Sequence, residues 1–449
     1  MSRLPDFSST GLVRLLAESS RRSSELHGQF LSHRQNALRD VKNLIELQIN
    51  AAGAGRATSA VSAAPATRPA LFSSRQLDEF GVGRISQCLG PAFSGYDQRR
   101  IPRIPNGELK MMSRIVAIQG CPRDFNSPAS VEAEYDVPVD AWYLRDGASP
   151  EIPLSLWMEI ALQPCGFLSA YLDSYAFVPH NAFFFRNLDG GARFFGRVDV
   201  RGQTITTRAR LLTSVVSGGT VIQKYAFELT CAGRTIYQGE STFGYFSAET
   251  MGNQVGLDGG KTSLPWLKQP SDANTAASSA AARTAVVSRW QELGQPPRLA
   301  RGRLSFLNEV SVVPGGGRYG SGYVYAARPV DPSDWFYPFH FYQDPVMPGS
   351  LGVEAILQAM QVYALEAGLS SGLRSPRFGL PVDHSMNWRY RGQITPQHRL
   401  MELDVHFHAP RRDPQGGPMG YILSGDANLW VDGLRIYEVK NAAVAIVDG

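Results

Sequence analysis

The sequence predicts an α+β fold made of two tandem copies of one unit, each an antiparallel sheet wrapped around a single buried helix, preceded by an N-terminal helical linker. Three observations carry this. The first is an internal repeat: Pro153 to Gln163 (PLSLWMEIALQ) pairs with Pro348 to Gln358 (PGSLGVEAILQ), so that Glu159 matches Glu354 and Gln163 matches Gln358. Leu109, Met112 and Ile115 pair likewise with Leu304, Leu307 and Val310. Arg201-Gly202-Gln203 pairs with Arg391-Gly392-Gln393, and Gly233 to Tyr237 with Gly433 to Tyr437, in the same order in both halves. The second is that the matched segments are apolar on every side, the mark of a buried rather than a surface helix. The third is two-residue alternation downstream of each. Val221, Gln223, Tyr225, Phe227 and Leu229 oppose Ile222, Lys224, Ala226 and Glu228, and Leu403, Val405 and Phe407 oppose Asp404, His406 and His408.

In chain order, Thr10 to Asn50 reads as an amphipathic helix, with Leu12, Leu15, Leu16, Leu26, Phe30, Leu31, Leu38 and Val41 among those recurring at three- and four-residue steps. Ala51 to Ala70 is an Ala/Gly/Ser/Thr/Pro stretch that cannot bury a core and is expected to be flexible. Residues 1–75 are therefore taken as a connector, residues 76–247 as the first unit and 248–297 as a Gly/Ala/Ser/Pro linker running over the surface, with a short helix at WQELG. Residues 298–449 form the second unit. In that unit the aromatic run Trp335, Phe336, Tyr337, Phe339, Phe341 and Tyr342 carries His340 and favours extended backbone, broken by Pro345 and Pro348-Gly349. A helix is expected from about Ser350, with Glu354 and Gln358 as its polar exceptions.

Composition narrows the function. The 44 basic and 40 acidic residues are spread along the chain for a net charge of +4, so no basic stripe points to nucleic acid or an anionic membrane. Cys88, Cys121, Cys165 and Cys231 lack metal-site spacing, which argues against zinc or a disulfide framework and fits a reducing cytoplasm. No apolar run reaches the ~18 residues of a membrane span, and no signal peptide is read at the N-terminus.

A carboxylate inside an apolar helix costs several kcal/mol unless it is neutral, paired or hydrogen-bonded. An imidazole and a carboxylate flanking a small cavity could together remove an α-proton and protonate a departing β-hydroxyl. The residue types alone equally allow a core histidine and a glutamate satisfied by backbone amides.

The string His340 to Ala355, HFYQDPVMPGSLGVEA, resembles the active-site segment of the 3-hydroxydecanoyl-thioester dehydratase/isomerase family, whose fold is the hotdog. It most resembles the dehydratase regions of polyunsaturated fatty-acid synthases and iterative polyketide synthases. Arg391 to Pro396 also resembles the strand that comes after the helix in that family. The resemblance implies a double hotdog, with the catalytic histidine at His340, the oxyanion glycine at Gly349 and the helix carboxylate, normally Asp, at the longer Glu354. Ser350, Gln358 and Gln163 are the neighbouring candidates for oxyanion or substrate binding.

The first copy has no histidine before its helix: the place matching His340 falls near Arg145-Asp146, and Pro153-Leu154 stands where the other copy has Pro-Gly. It reads as degenerate. In the family, histidine and carboxylate come from different hotdogs, which would set His340 against Glu159; the local pair, His340 with Glu354, stays open. The implied reaction is dehydration of a 3-hydroxyacyl thioester to a trans-2-enoyl thioester, with the acid kept protonated by burial. No metal or organic cofactor is implied beyond the phosphopantetheine arm of an acyl carrier protein. The implied partners are that carrier and neighbouring megasynthase domains, with room for a homodimer. Alternatives are a dehydratase that also isomerises the double bond, a hotdog thioesterase, and a non-catalytic scaffold. His27, His33, His398, His406 and His408 are expected to be solvated, Cys165 to be core, and His384 is left open as a tunnel residue.

Overall fold

The computed structural model describes residues 68–179, 182–270, 282–292, 297–413 and 420–448. The expected helix at Thr10 to Asn50, most of the Ala51 to Ala70 linker, His27, His33 and His180 lie outside them. Fifteen strands among the described residues form one sheet. The first unit supplies β1 (Arg114–Gln119), β2 (Ser130–Asp136), β3 (Phe183–Phe194), β4 (Thr204–Ser217), β5 (Thr220–Cys231) and β6 (Arg234–Ser247). After β7 (Arg283–Ala285), the second supplies β8 (Glu309–Val313), β9 (Tyr323–Pro329), β10 (Pro376–Gly379), β11 (His384–Tyr390), β12 (Leu400–Phe407), β13 (Arg411–Arg412), β14 (Tyr421–Val431) and β15 (Leu434–Asp448). The main path runs β1-β2-β4-β5-β6-β3-β11-β15-β14-β12-β9-β8-β7, so the units meet where β3 pairs antiparallel with β11, from His384 opposite Phe194 to Arg389 opposite Asp189. Each half wraps one long helix, Leu154–Tyr171 or Gly349–Glu366, and the two together are a double hotdog.

The alternating pattern explains the wrapping. In β5, Val221, Gln223, Tyr225, Phe227 and Leu229 are all buried while their neighbours are partly exposed, which puts one face on the helix and one toward solvent. Both central helices begin after a proline, Pro153 or Pro348, whose fixed φ suits a helix entry and which has no N–H to satisfy. The first helix also contains Pro164, which cannot donate to the Ile160 carbonyl one turn back. Thr207 Oγ1 of β4 donates to that carbonyl instead, at 3.2 Å.

Four expectations need correction. Residues 68–75 pack on the first hotdog rather than in a flexible connector: Arg68 pairs with Glu132 and Glu134, Phe72 bridges to Ile115, and Ser73 caps a helix at Ser74–Val82. The linker is not confined to the surface. It adds β7 to the sheet edge, holds a short helix at Val287–Gln291, and lays Trp266 against Tyr323 and His406. That cover buries the second face of β12, so His406, expected to be solvated, is 3% exposed and accepts the Arg318 N–H at 2.9 Å. Finally, the aromatic run around His340 is coiled into turns, closed by bonds such as the His340 N–H to the Phe336 carbonyl at 2.9 Å, rather than extended.

Candidate active site

The two central helices touch near their N-termini and exchange hydrogen bonds across the junction. Ser350 Oγ donates to Glu159 Oε1 at 2.6 Å, and Ser155 Oγ donates to Glu354 Oε2 at 2.8 Å. Each glutamate takes a second bond from the glutamine one turn on, Gln163 Nε2 at 3.0 Å and Gln358 Nε2 at 3.2 Å. Each glutamine in turn reads the backbone of the segment leading into its own sheet: Gln163 bonds Leu109 and Met111, Gln358 bonds Leu304 and Phe306. All six side chains are buried. This accounts for the repeat of Ser, Glu and Gln in the sequence, because a carboxylate in an apolar core is tolerated only when its lone pairs are met.

The symmetry ends at the cavities. A cavity of about 460 Å³ lies on the Glu159 side and is lined also by His340, Gly349, Ser350, Gln163, Met158 and Tyr390. Glu354 and Gln358 do not line it. Glu354 faces a crevice of about 50 Å³, and burial pushes its carboxyl up from the ordinary carboxylate range. The structure thus brings His340 together with Glu159 across the junction and sets Glu354 apart. Of the residues expected to contact substrate, Ser350 donates its hydroxyl to Glu159, and Gln163 donates its amide NH2 to Glu159 and the Leu109 carbonyl while its amide oxygen accepts the Met111 N–H. Among the described residues no group of three or more His, Cys, Asp or Glu is placed to hold a metal.

His340 is fixed by Val346. The Val346 N–H donates to the His340 carbonyl at 3.0 Å, and the Val346 carbonyl lies 3.0 Å from His340 Nδ1. A carbonyl can only accept, so Nδ1 carries the proton and Nε2 is left as the basic nitrogen. Burial lowers the His340 pKa below its usual 6.5, against the neighbouring Glu159 and the Val346 carbonyl, which raise it. Gly349 opens the helix, and the N–H groups of a first helical turn have no intrahelical acceptor. Its lack of a side chain is required by Tyr390, whose ring lies 2.6 Å from where a Cβ would stand.

Sequence reasoning missed the parts that seat the His340 loop on the other hotdog. Arg186 of β3 makes a bidentate pair with Asp344 at 2.7 and 2.8 Å, reaches Gln393, and lines the cavity. Asn106 donates its backbone and side-chain N–H groups to the Phe339 carbonyl at 3.1 and 3.2 Å. The only signal was an arginine among aromatics in the strand FFFRN; its partner lies in the other half of the chain. His384 bonds the Asn441 carbonyl and does not line the cavity, His398 bonds Thr395, and Cys165 is buried in the core.

Residues 299–440 match the family described as FabA-like domain. The matched segment covers most of the second hotdog. It supplies His340 and Gly349, whereas Glu159 comes from the hotdog that precedes it. Over 391 residues the chain is 33% identical to a polyunsaturated fatty acid synthase subunit of Thraustochytrium sp.; this covers 83% of the chain and 26% of that relative, so the chain spans about a quarter of its relative's length. The dehydratase domain from the CurJ module of the curacin polyketide synthase is 11% identical, covers 76% of this chain and 98% of that domain, and has a TM-score of 0.39. The dehydratase domain from the terminal module of the rifamycin polyketide synthase is also 11% identical, covers 77% and 98%, and has a TM-score of 0.38. No described helix is long and apolar enough to cross a membrane.

Proposed function

We propose that the chain dehydrates 3-hydroxyacyl thioesters to trans-2-enoyl thioesters, working as a hydro-lyase region of a fatty-acid or polyketide megasynthase. The observation that carries this reading is one apolar cavity holding a fixed imidazole and, from the other hotdog, a carboxyl group clamped by Ser350 and Gln163. His340 Nε2 takes the α-proton, and the enolate oxygen that develops is stabilised by the Gly349 N–H at the helix start. As the α,β double bond forms, the C–O bond breaks and the Glu159 carboxyl gives its proton to the departing hydroxyl, so that water leaves. The imidazole has then gained a proton and the carboxyl lost one, and exchange with water resets both. The substrate class is supported by the relationship to the fatty acid synthase, and the thioester would arrive on the phosphopantetheine arm of an acyl carrier protein, with neighbouring synthase domains as the other partners. These steps draw on no metal or further organic cofactor.

The test is direct. Purified protein given a 3-hydroxydecanoyl pantetheine thioester is expected to form the trans-2-decenoyl thioester, read by mass and by ultraviolet absorbance. A folded protein that leaves this thioester and its shorter and longer homologues unchanged would refute the reading.

A further inference from the structure

The internal repeat allows the two central helices to be compared residue by residue beyond their glutamates. Glu159, Leu162, Gln163 and Gly166 lie on one face of the first helix, and the matched residues of the second are Glu354, Leu357, Gln358 and Gln361. Three of the four positions are identical. At the fourth, Gly166 borders the open cavity of about 460 Å³, while Gln361 borders the remnant of about 50 Å³. Gln361 is buried, and its amide oxygen has no hydrogen-bond partner among the described residues. The Glu354 site thus carries a buried glutamine side chain at the position where the Glu159 site has none. The cavity that Gly166 borders is lined also by Phe185 and Phe243, whose stacked rings, with centroids 5.0 Å apart, make one apolar wall. The helix geometry gives no other reason for this glycine, which weakens a helix interior relative to alanine; a Cβ there would rest in ordinary contact, 3.5 Å from the Phe185 ring.

We infer that Gly166 sets the depth of the acyl cavity and so determines how long an acyl chain the site accepts. The substrate class in this inference rests on the dehydratase reading; the depth does not. A chain entering past His340 and Glu159 runs over the backbone of Gly166 along the wall made by the stacked Phe185 and Phe243 rings, and a longer side chain at 166, such as the glutamine found at 361, closes that passage.

Calorimetric binding of saturated acyl pantetheine thioesters, from butanoyl to dodecanoyl, reads the depth without chemistry, and kcat/KM for the matching 3-hydroxyacyl series is measured beside it. The parent is expected to bind dodecanoyl at least about tenfold more tightly than butanoyl, because more apolar surface is buried. Gly166→Gln, which copies the blocked site, should abolish that gain while leaving butanoyl binding and 3-hydroxybutanoyl turnover within about threefold, since the shorter chain does not reach residue 166. Gly166→Ala, whose Cβ fits and which is the better helix former, should fold at least as stably and move the preferred length to a shorter chain. The inference is overturned if folded Gly166→Gln keeps the parental length preference, if it loses both lengths equally, or if Gly166→Ala leaves the preferred length unchanged. If binding varies with length as expected but no 3-hydroxyacyl thioester is dehydrated, the dehydratase reading fails and the assignment of Gly166 stands.

Discussion

The two hotdogs carry the same Ser, Glu and Gln on their central helices, hydrogen-bonded in the same pattern, yet they frame unlike spaces. One glutamate shares a cavity with a histidine, a helix-opening glycine and room for a ligand. The other faces a crevice walled by Gln361, with Pro153-Leu154 at the helix entry in place of Pro348-Gly349. The comparison separates what the fold needs from what the chemistry needs. A buried carboxylate tied to the serine of the neighbouring helix holds two hotdogs together at both places, so the bonding pattern alone does not mark a catalytic residue. What marks Glu159 is the cavity and the imidazole beside it.

The largest effect should come from removing the element that the first hotdog lacks. His340→Ala is expected to lower kcat by at least about 10³-fold and to leave the melting temperature nearly unchanged, because the ring opens onto the cavity and makes one hydrogen bond, to Val346. A large loss of stability at parental activity would instead make it a core histidine. Next comes the clamp that seats the His340 loop on the other hotdog. Asp344→Asn breaks the bidentate pair with Arg186 and should destabilise the fold by about 1–3 kcal/mol, with a fall in kcat larger than any rise in KM. Thermal melts beside steady-state rates check this, and unchanged kcat would show that the clamp does not position the histidine.

The mirrored serines sharpen the comparison further. Ser350→Ala frees one oxygen of Glu159 and should reduce kcat by about tenfold, the worth of one hydrogen bond to a charged or acidic group, while Ser155→Ala does the same to Glu354 and should leave kcat alone. Equal losses in the two variants, read in one assay, would contradict the asymmetry. The smallest effect is on pH. Because burial lowers the His340 pKa, the neutral base persists below the usual 6.5, and the acid limb of kcat/KM should have its midpoint below that value, with activity lost as pH falls through it. A midpoint above 6.5 would mean that the imidazole is not shielded as described.

Much of this was legible in the chain. The matched helices, the alternation of β5 and the place of His340 before Pro348-Gly349 come from periodicities and a repeat that survive in one dimension. The clamp did not, because Arg186 and Asp344 sit in different halves and neither belongs to a repeated motif. His406 looked solvated because its strand alternates, and the Trp266 that covers its outer face comes from a linker whose composition reads as surface. The histidine loop read as extended because aromatic side chains favour strands, whereas here they pack inward from successive turns, with Phe336 and Tyr337 buried. The role of Gly166 was invisible until the two cavities could be set side by side.

The central claim, that base and acid come from different hotdogs, is tested most directly by the turnover of Glu159→Gln against Glu354→Gln under one set of conditions, with melts recorded for both. The amide keeps the size of each side chain and can still accept from Ser350 or Ser155, but it gives no acidic proton. Glu159→Gln is expected to be folded and slower by about 10²- to 10⁴-fold, and Glu354→Gln to stay within about threefold of the parent, since its side chain lies outside the cavity. The reverse ranking, with Glu354→Gln folded and inactive and Glu159→Gln active, would place base and acid on one hotdog and contradict the account.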